Sequence, residues 1–425
     1  CIPSKIMQTT AGMLHQFQRC KEFGIQLEGS PTVDMAAWMA RKEKIVNTQV
    51  RGIENLLKHN GVTHLNGSGS VETIGSLDVR TPGGDTLKVA WDALIISTGS
   101  EPLEIPAFPF DGRKVISSTD ILNLDRVPAS MVIVGGGVIG CEFACMLTDL
   151  GARVTVVEAL DRLLPLPSVD AGCSKVLQRE MKKRKIKFLL QKTVTAVDAG
   201  GELASVSIGP SPFAEDIKEK DHQPLQSEAD KVLVAIGRKS NARGIGLENL
   251  GIELDKKDWI EADDHLRTRV ENVYAIGDAL GPAKIMLAHV ASAEGIIAAE
   301  NAMGGNRQMN YDAVPGAIFT SPEVANVGLT EDQAREKNLS FRADTVLFRT
   351  VGKAQVIGEL AGEAKIVSDN ESGKVLGVHI IGPHATDLIA EGTLAVATGR
   401  TVKELAETIH AHPTLAEITV ETAYK

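Results

Sequence analysis

Three groups of residues have the types and spacing to do chemistry. The first is Cys1, followed by Ile2-Pro3-Ser4-Lys5. Pro3 suits a first helical turn, Ile6, Met13, Leu14 and Phe17 recur at roughly helical spacing, and Gly24 supplies a stop. A helix is therefore predicted from Pro3 to about Glu22. A helix N-terminus carries partial positive charge, which stabilises a thiolate. Cys1 has two readings: a redox thiol, or simply the residue at which the sequence starts.

The second group is Gly135-Gly136-Gly137-Val138-Ile139-Gly140. It follows the apolar strand Met131–Val134, opens a helix predicted over Gly140–Leu150, and precedes a second strand at Val154–Val157. In that βαβ context Gly135, Gly137 and Gly140 let the backbone approach a pyrophosphate at the helix N-terminus. Glu158 ends the second strand, where a carboxylate accepts from a ribose 2′-hydroxyl and repels a 2′-phosphate. The pattern selects NAD over NADP. A tight strand–helix turn without ligand is the bland alternative.

The third group is His412-Pro413-Thr414-Leu415-Ala416-Glu417. Pro413 keeps His412 extended. Glu417 has two readings: a capping-box partner of Thr414, or a carboxylate that orients His412 as a general base. Two further strands end in small-residue turns, Ser97-Thr98-Gly99 and Ala275-Ile276-Gly277-Asp278. Such strand ends are where α/β sheets place ligands, although Asp278 alone fits a turn cap equally well.

The elements that must position these groups fall into four stretches. Residues 1–110 hold two long helices, the second over about 34–60, then short strands and the strand ending at Gly99. Residues 111–236 hold the βαβ unit, with residues 209–229 as an exposed hairpin extension. Residues 237–308 bring the strand Asn272–Ile276 and an Ala-rich helix from Ala288 to Met303. In residues 309–425, strands Ala364–Val367 and Val375–Ile381 flank a turn at Asp369-Asn370 and three helices follow; Thr330–Gln333 and Thr401–Glu404 spell capping boxes.

The 425-residue chain is 43% hydrophobic and 24% charged, ordinary for a globular protein. Its net charge of −10 argues against nucleic-acid and anionic-membrane binding. No apolar run reaches the ~18 residues of a membrane span. Five cysteines are too few and scattered for a disulfide scaffold. Cys141 and Cys145, at i,i+4, read as packing residues, and no metal site is expected. Reduced cysteines suit the cytoplasm, or the mitochondrial matrix in a eukaryote.

Together these residues resemble the pyridine-nucleotide disulfide oxidoreductases, over nearly the whole chain. Cys1–Lys5 match the second half of that family's C-x-x-x-x-C-[IV]-P-[SK]-K motif, in the Ile-Pro-Ser-Lys form of its lipoamide branch. Val232–Arg238, Met286–His289, Gly377–Thr386 and His410–Glu417 are similar to that branch as well. The resemblance implies an α/β fold: two Rossmann-like dinucleotide-binding domains, for FAD and NAD, plus an α+β C-terminal dimerisation domain. It divides the chain into 1–110 and 237–308 for FAD, 111–236 for NAD, and 309–425 for the interface. It implies that Cys1 is the flavin-side sulfur, that Lys5 pairs with Glu142 near the flavin, and that Asp278 binds the ribityl chain. Gly99, Gly237, Ala288 and His289 would also face the cofactor. His412 and Glu417 would reach the redox disulfide of the other subunit of a homodimer. The implied reaction oxidises protein-bound dihydrolipoamide, on the lipoyl domain of a 2-oxoacid dehydrogenase complex or a glycine-cleavage system, and passes electrons to NAD.

The family motif also places an interchange cysteine five residues before Cys1, and a strand and glycine loop for the FAD pyrophosphate before that. The sequence is read as truncated ahead of them, and the literal chain is expected to bind FAD poorly. The competing readings are a glutathione-reductase-like or mercuric reductase, a single-cysteine NADH oxidase, and a non-catalytic NAD-binding chain. Glu158 opposes the NADPH-dependent ones.

Overall fold

The structure, a computed structural model, describes residues 1–214 and 223–425. The chain forms two compact units. One comprises Cys1–Pro3, Met39–Leu103 and Gly237–Tyr311; the other comprises Ser4–Trp38, Glu104–Ile236 and Asp312–Lys425. The α-helices among the described residues are α1 (Ile2–Gln18), α2 (Met35–His59), α3 (Val138–Asp149), α4 (Ala171–Lys183), α5 (Ala288–Ala302), α6 (Glu331–Glu336), α7 (Gly352–Val356), α8 (Ala385–Thr398), α9 (Val402–Glu407) and α10 (Glu417–Ala423).

Helix α1 buries Ile6, Met7 and Ala11. It ends at Gln18, four residues short of the expected Glu22. The chain there tightens into a 3₁₀ turn, Cys20–Phe23, closed by Gly24 at φ 74°, whose N–H bonds back to the Cys20 and Lys21 carbonyls. The predicted second helix is α2, and Asp34 caps it by accepting from Ala37 N–H at 3.0 Å.

In the first unit, Leu94–Ile96 pairs in parallel with Val273–Ala275, so the strands ahead of Gly99 and Gly277 end side by side. Ser100–Pro102 pairs antiparallel with Arg238–Ser240. A three-stranded meander, Ser68–Thr73, Ser76–Arg80 and Thr86–Ala90, completes the sheets of this unit. Its core includes Val71, Ile96, Leu247, Leu266, Tyr274 and Ile297, the last from α5.

In the second unit a five-stranded parallel sheet runs in the order Val115–Ile116, Lys231–Val234, Ser130–Val134, Arg153–Val157, Lys187–Leu189. Ser130–Val134 is buried along its length, as a central parallel strand must be. An antiparallel sheet of Lys192–Asp198, Ala204–Pro210 and Leu225–Ala229 follows. Its last two strands are the base of the expected hairpin extension, whose residues 215–222 lie outside the described residues. The base is less exposed than expected, with Gly209 and Ala229 both buried.

The C-terminal part of this unit is a five-stranded antiparallel sheet in the order Gly316–Ile318, Glu323–Gly328, Val375–Gly382, Glu363–Asp369, Phe341–Leu347. The apolar core here includes Phe348, Val378, Ile380, Ile389 and Ile418, uniting the sheet with α8 and α10. The predicted boxes at Thr330/Gln333 and Thr401/Glu404 form reciprocally and start α6 and α9. The box expected at Thr414/Glu417 does not. Glu417 accepts from Thr414 N–H at 2.9 Å, but the Thr414 hydroxyl donates to Ala411 O at 2.8 Å, and α10 begins only at Glu417. The hydroxyl has spent its geometry on the preceding loop, so half the motif is lost.

Candidate functional site

The glycine loop is built by exclusion of side chains. A Cβ on Gly140 would lie 1.9 Å from the Gly135 carbonyl oxygen. One on Gly135, at φ 104°, would lie 2.4 Å from Ala235 O. Gly137 is the N-cap of α3, no side chain caps that helix, and nothing lies within 4 Å of where its Cβ would be. Uncapped N–H groups facing open space suit a pyrophosphate, so the loop fits the dinucleotide expected there. Glu158 is buried beside it. One oxygen accepts from Gly136 N–H at 2.6 Å and the other from Leu160 N–H at 2.8 Å. The acid is thus oriented at the end of its strand by the glycine loop, and an ionised carboxylate has further lone pairs with which a hydroxyl can bond.

Lys5 and Glu142 come together across 137 residues of sequence, with Nζ 2.6 Å from Oε2. The other Glu142 oxygen accepts from Phe319 N–H at 2.8 Å, and the Lys5 ammonium lies 4.1 Å from the Phe319 ring centroid. Farther along α1, Gln8 donates to Phe319 O at 2.8 Å, and Arg184 donates to His15 Nε2 at 3.2 Å and to Ser321 Oγ at 2.6 Å. An arginine only donates, so His15 Nε2 accepts and its proton sits on Nδ1, facing Asp149 Oδ1 at 3.5 Å. Burial lowers the His15 pKa, with the Arg184 charge adding to it. Burial raises Asp149 to about 6 against the pull of Arg184. Arg19 closes the series on Glu359 and the Gly358 carbonyl. Lys5, Gln8, His15 and Arg19 thus form one polar stripe that fixes the helix opening after Cys1.

In the first unit Asp278 accepts from Ser100 Oγ at 2.6 Å, and Arg238 reaches Ser100 through Oγ and the carbonyl, both at 2.6 Å. Gly99 at φ 69° and Gly237 at φ 135° have no atom within 4 Å of a built Cβ, so the side-chain side of both is open, while their carbonyls accept from Asn241 N–H and Leu103 N–H. Gly277 N–H donates to Glu294 at 2.6 Å, and Tyr311 donates to the other Glu294 oxygen at 2.7 Å. Ala288 and His289 are exposed in the first turn of α5. A polyhydroxyl chain fits such a rim of carboxylate and hydroxyl.

His412 and Glu417 are brought together: Nδ1 lies 2.8 Å from Oε1. The Glu417 carboxyl is held below its ordinary range by His412 and by Thr414 N–H. An ionised carboxylate only accepts, so the His412 proton sits on Nδ1, and Nε2 is the lone-pair nitrogen of a largely exposed ring. This pair shares no hydrogen-bond partner with Lys5 and Glu142. Two features escape sequence reading. Ser100 and Arg238 at Asp278 lie 178 and 40 residues away from it, with no local spacing to reveal them. His410, inside the quoted motif but without an assigned role, pairs with Glu391 on α8 at 3.0 Å.

Cys1 is exposed at the start of α1, whereas Cys20, Cys141, Cys145 and Cys173 are buried. Burial pushes the Cys141, Cys145 and Cys173 thiols up, Cys145 to about 11, leaving them unreactive packing groups. Among the described residues no group of three or more His, Cys, Asp or Glu is arranged to hold a metal, and no helix is long and apolar enough to cross a membrane.

The sequence profile described as pyridine nucleotide-disulphide oxidoreductase matches residues 1–295, and the dimerisation domain of the same family matches residues 314–423. A dihydrolipoyl dehydrogenase from Chlamydia pneumoniae is 39% identical over 423 residues, covering 100% of this chain and 87% of the relative. Mitochondrial dihydrolipoyl dehydrogenase 1 from Arabidopsis thaliana is 36% identical over 425 residues, covering 100% and 81%. Among solved structures, LpdA from Mycobacterium tuberculosis matches with a TM-score of 0.89 at 28% identity, covering 100% of this chain and 89% of that one. The HOCl-induced flavoprotein disulfide reductase RclA from Escherichia coli shares the fold, with a TM-score of 0.83 at 24% identity, covering 100% and 89%.

Proposed function

The chain belongs to the pyridine nucleotide-disulphide oxidoreductases, enzymes that use FAD and NAD, and on that premise we propose that it oxidises the dihydrolipoyl group of a carrier protein and reduces NAD. The observation that carries this reading is the 2.8 Å bond between His412 Nδ1 and Glu417, which leaves Nε2 as an exposed base. A dithiol substrate has to lose a proton before it can attack a disulfide, because the thiolate is the nucleophile.

The steps are these, with the interchange cysteine taken from the family motif and the other groups from residues 1–425. His412 Nε2 takes the proton of one dihydrolipoyl thiol, and Glu417 balances the imidazolium. The thiolate attacks the redox disulfide that the family motif gives Cys1, forming a mixed disulfide and releasing Cys1 as a thiolate. The second dihydrolipoyl thiol then closes the lipoyl disulfide, and its proton goes to the interchange cysteine sulfur that it frees as a thiol. Two electrons and two protons have left the substrate, and the lipoyl S–S bond has replaced the enzyme's. Bound FAD and NAD supply two-electron acceptance and the final hydride sink.

Gly135, Gly137 and Gly140 hold the NAD pyrophosphate and Glu158 its ribose. Gly99, Gly237, Asp278, Ala288 and His289 hold FAD, and Lys5, neutralised by Glu142, presents its ammonium to the flavin. The His412–Glu417 pair serves the disulfide of the second subunit, consistent with the match to a dimerisation domain. The substrate is carried on the lipoyl domain of a 2-oxoacid dehydrogenase complex or a glycine-cleavage system. The compartment is the cytoplasm, or the mitochondrial matrix in a eukaryote, in keeping with bacterial and mitochondrial relatives. The test is a steady-state assay of the FAD-loaded dimer with dihydrolipoamide and either NAD or NADP. Preferential NAD reduction is expected. Preferential NADPH oxidation by glutathione disulfide would replace this reading.

A further inference from the structure

Beside the His412–Glu417 pair lies a second imidazole whose two nitrogens are both committed. His410 Nδ1 is 2.9 Å from the Thr408 carbonyl oxygen, and Nε2 is 3.0 Å from Glu391. Both partners are acceptors. A neutral imidazole carries one N–H and satisfies one of them; only the imidazolium donates to both. The ring is 10% exposed, so water does not offer a competing partner on most of its surface.

The groups facing His410 come from three elements: Glu391 from the middle of α8, the Thr408 carbonyl at the end of α9, and the charge of Glu417 at the start of α10. Burial lowers its pKa, but the hydrogen bonds to Glu391 and Thr408 and the two carboxylate charges outweigh that and raise it. The effect is reciprocal: the His410 charge helps keep Glu417 ionised. The His410 imidazolium therefore lies between the carboxylates of Glu391 and Glu417, and Glu417 in turn bonds His412, which only Ala411 separates from His410 in sequence.

We propose that His410, held as an imidazolium between Glu391 and Thr408, is a positioning residue for the base His412. It ties the segment between α9 and α10 to α8, and it sets the charge balance in which Glu417 orients His412. This rests on the reading of His412 as the base in dithiol oxidation. Nothing in the reaction requires His410 to touch substrate.

The experiment uses the FAD-loaded dimer and has two arms. In the first, the ring ¹⁵N signals of His410, identified by their absence in His410→Gln, are followed with pH. The imidazolium is expected to predominate at pH 7, and Glu391→Gln, which keeps an acceptor but removes the charge, is expected to lower the midpoint by at least about one unit. In the second arm, His410→Gln is assayed for dihydrolipoamide oxidation and for NADH-to-dye electron flow. The expected result is a fall of about tenfold in kcat for dihydrolipoamide, with the acid limb of kcat/KM moved up by about half a pH unit because a neighbouring cation is gone. Dye reduction is expected to stay unchanged. A neutral His410 near pH 7 overturns the proposal, as does an equal loss in both assays or a rate loss with an unmoved acid limb. A dimer that reduces dye but never oxidises dihydrolipoamide defeats the reaction reading instead, and the titration still decides the state of His410.

Discussion

Under the proposed function, nucleotide choice rests on Glu158. Its two oxygens hold the Gly136 and Leu160 N–H groups, so its position is fixed before any nucleotide arrives. Glu158→Ala is expected to weaken NAD binding by about tenfold or more, the loss of one or two hydrogen bonds to a charged acceptor, while flavin content is unchanged. Titration of NAD into the flavin-loaded dimer measures this, and unchanged affinity would remove Glu158 from the site. Gly140→Ala is expected to be worse, because the added methyl meets the Gly135 carbonyl at 1.9 Å and must displace the loop or the helix. Lost NAD binding together with a lowered Tm is the expected signature. The placement of Glu158 and Gly140 was legible in the sequence because it depends on neighbours within one βαβ unit. Ser100 and Arg238 were not, because nothing near them in sequence marks their approach to Asp278.

At the scale of elements, polar anchors do what apolar packing alone does not: they fix rotation and register. The stripe Lys5, Gln8, His15 and Arg19 sets α1, while Asp170 and Lys365 fasten α4 to the C-terminal sheet at 2.8 Å. Asp170 also caps α4 by accepting from Gly172 N–H at 2.8 Å. Burial pushes its carboxyl up, but the bonds and charge of Lys365 more than reverse this, and its pKa is lowered. A carboxyl with a depressed folded pKa contributes stability above its unfolded value near 3.9, and loses it as pH falls through the lower folded value. Asp170→Ala is expected to lower Tm by several degrees at pH 7, combining about 1 kcal/mol for the cap with the cost of a Lys365 left to Glu331 alone. The difference from the unmodified protein is expected to shrink as pH drops below about 4. Differential scanning calorimetry across that range tests both parts. The misread box at Thr414 belongs to this scale as well. The sequence spacing was right for a cap, but Ala411 O took the hydroxyl and the helix started three residues later.

For the whole molecule, the chain leaves the first unit at Leu103 and returns to it at Gly237, with the parallel sheet inserted between. The boundaries of the four stretches were readable because βαβ periodicity and glycine turns are local patterns, whereas the return of the third stretch to the first was implied only by family resemblance. The pairing of Lys5 with Glu142 was expected only through family resemblance, since no propensity joins residues 137 apart. In the proposed function the dimer divides its reaction into two halves, with His412 needed for thiol chemistry and not for electron flow between flavin and nicotinamide. Rapid mixing of the FAD-loaded dimer carrying His412→Gln tests it most directly. Flavin reduction by dihydrolipoamide is expected to slow by about 10² to 10⁴-fold, the usual contribution of a positioned general base, while reduction by NADH keeps its rate. Equal slowing of both half-reactions, or no slowing of either, would contradict the account.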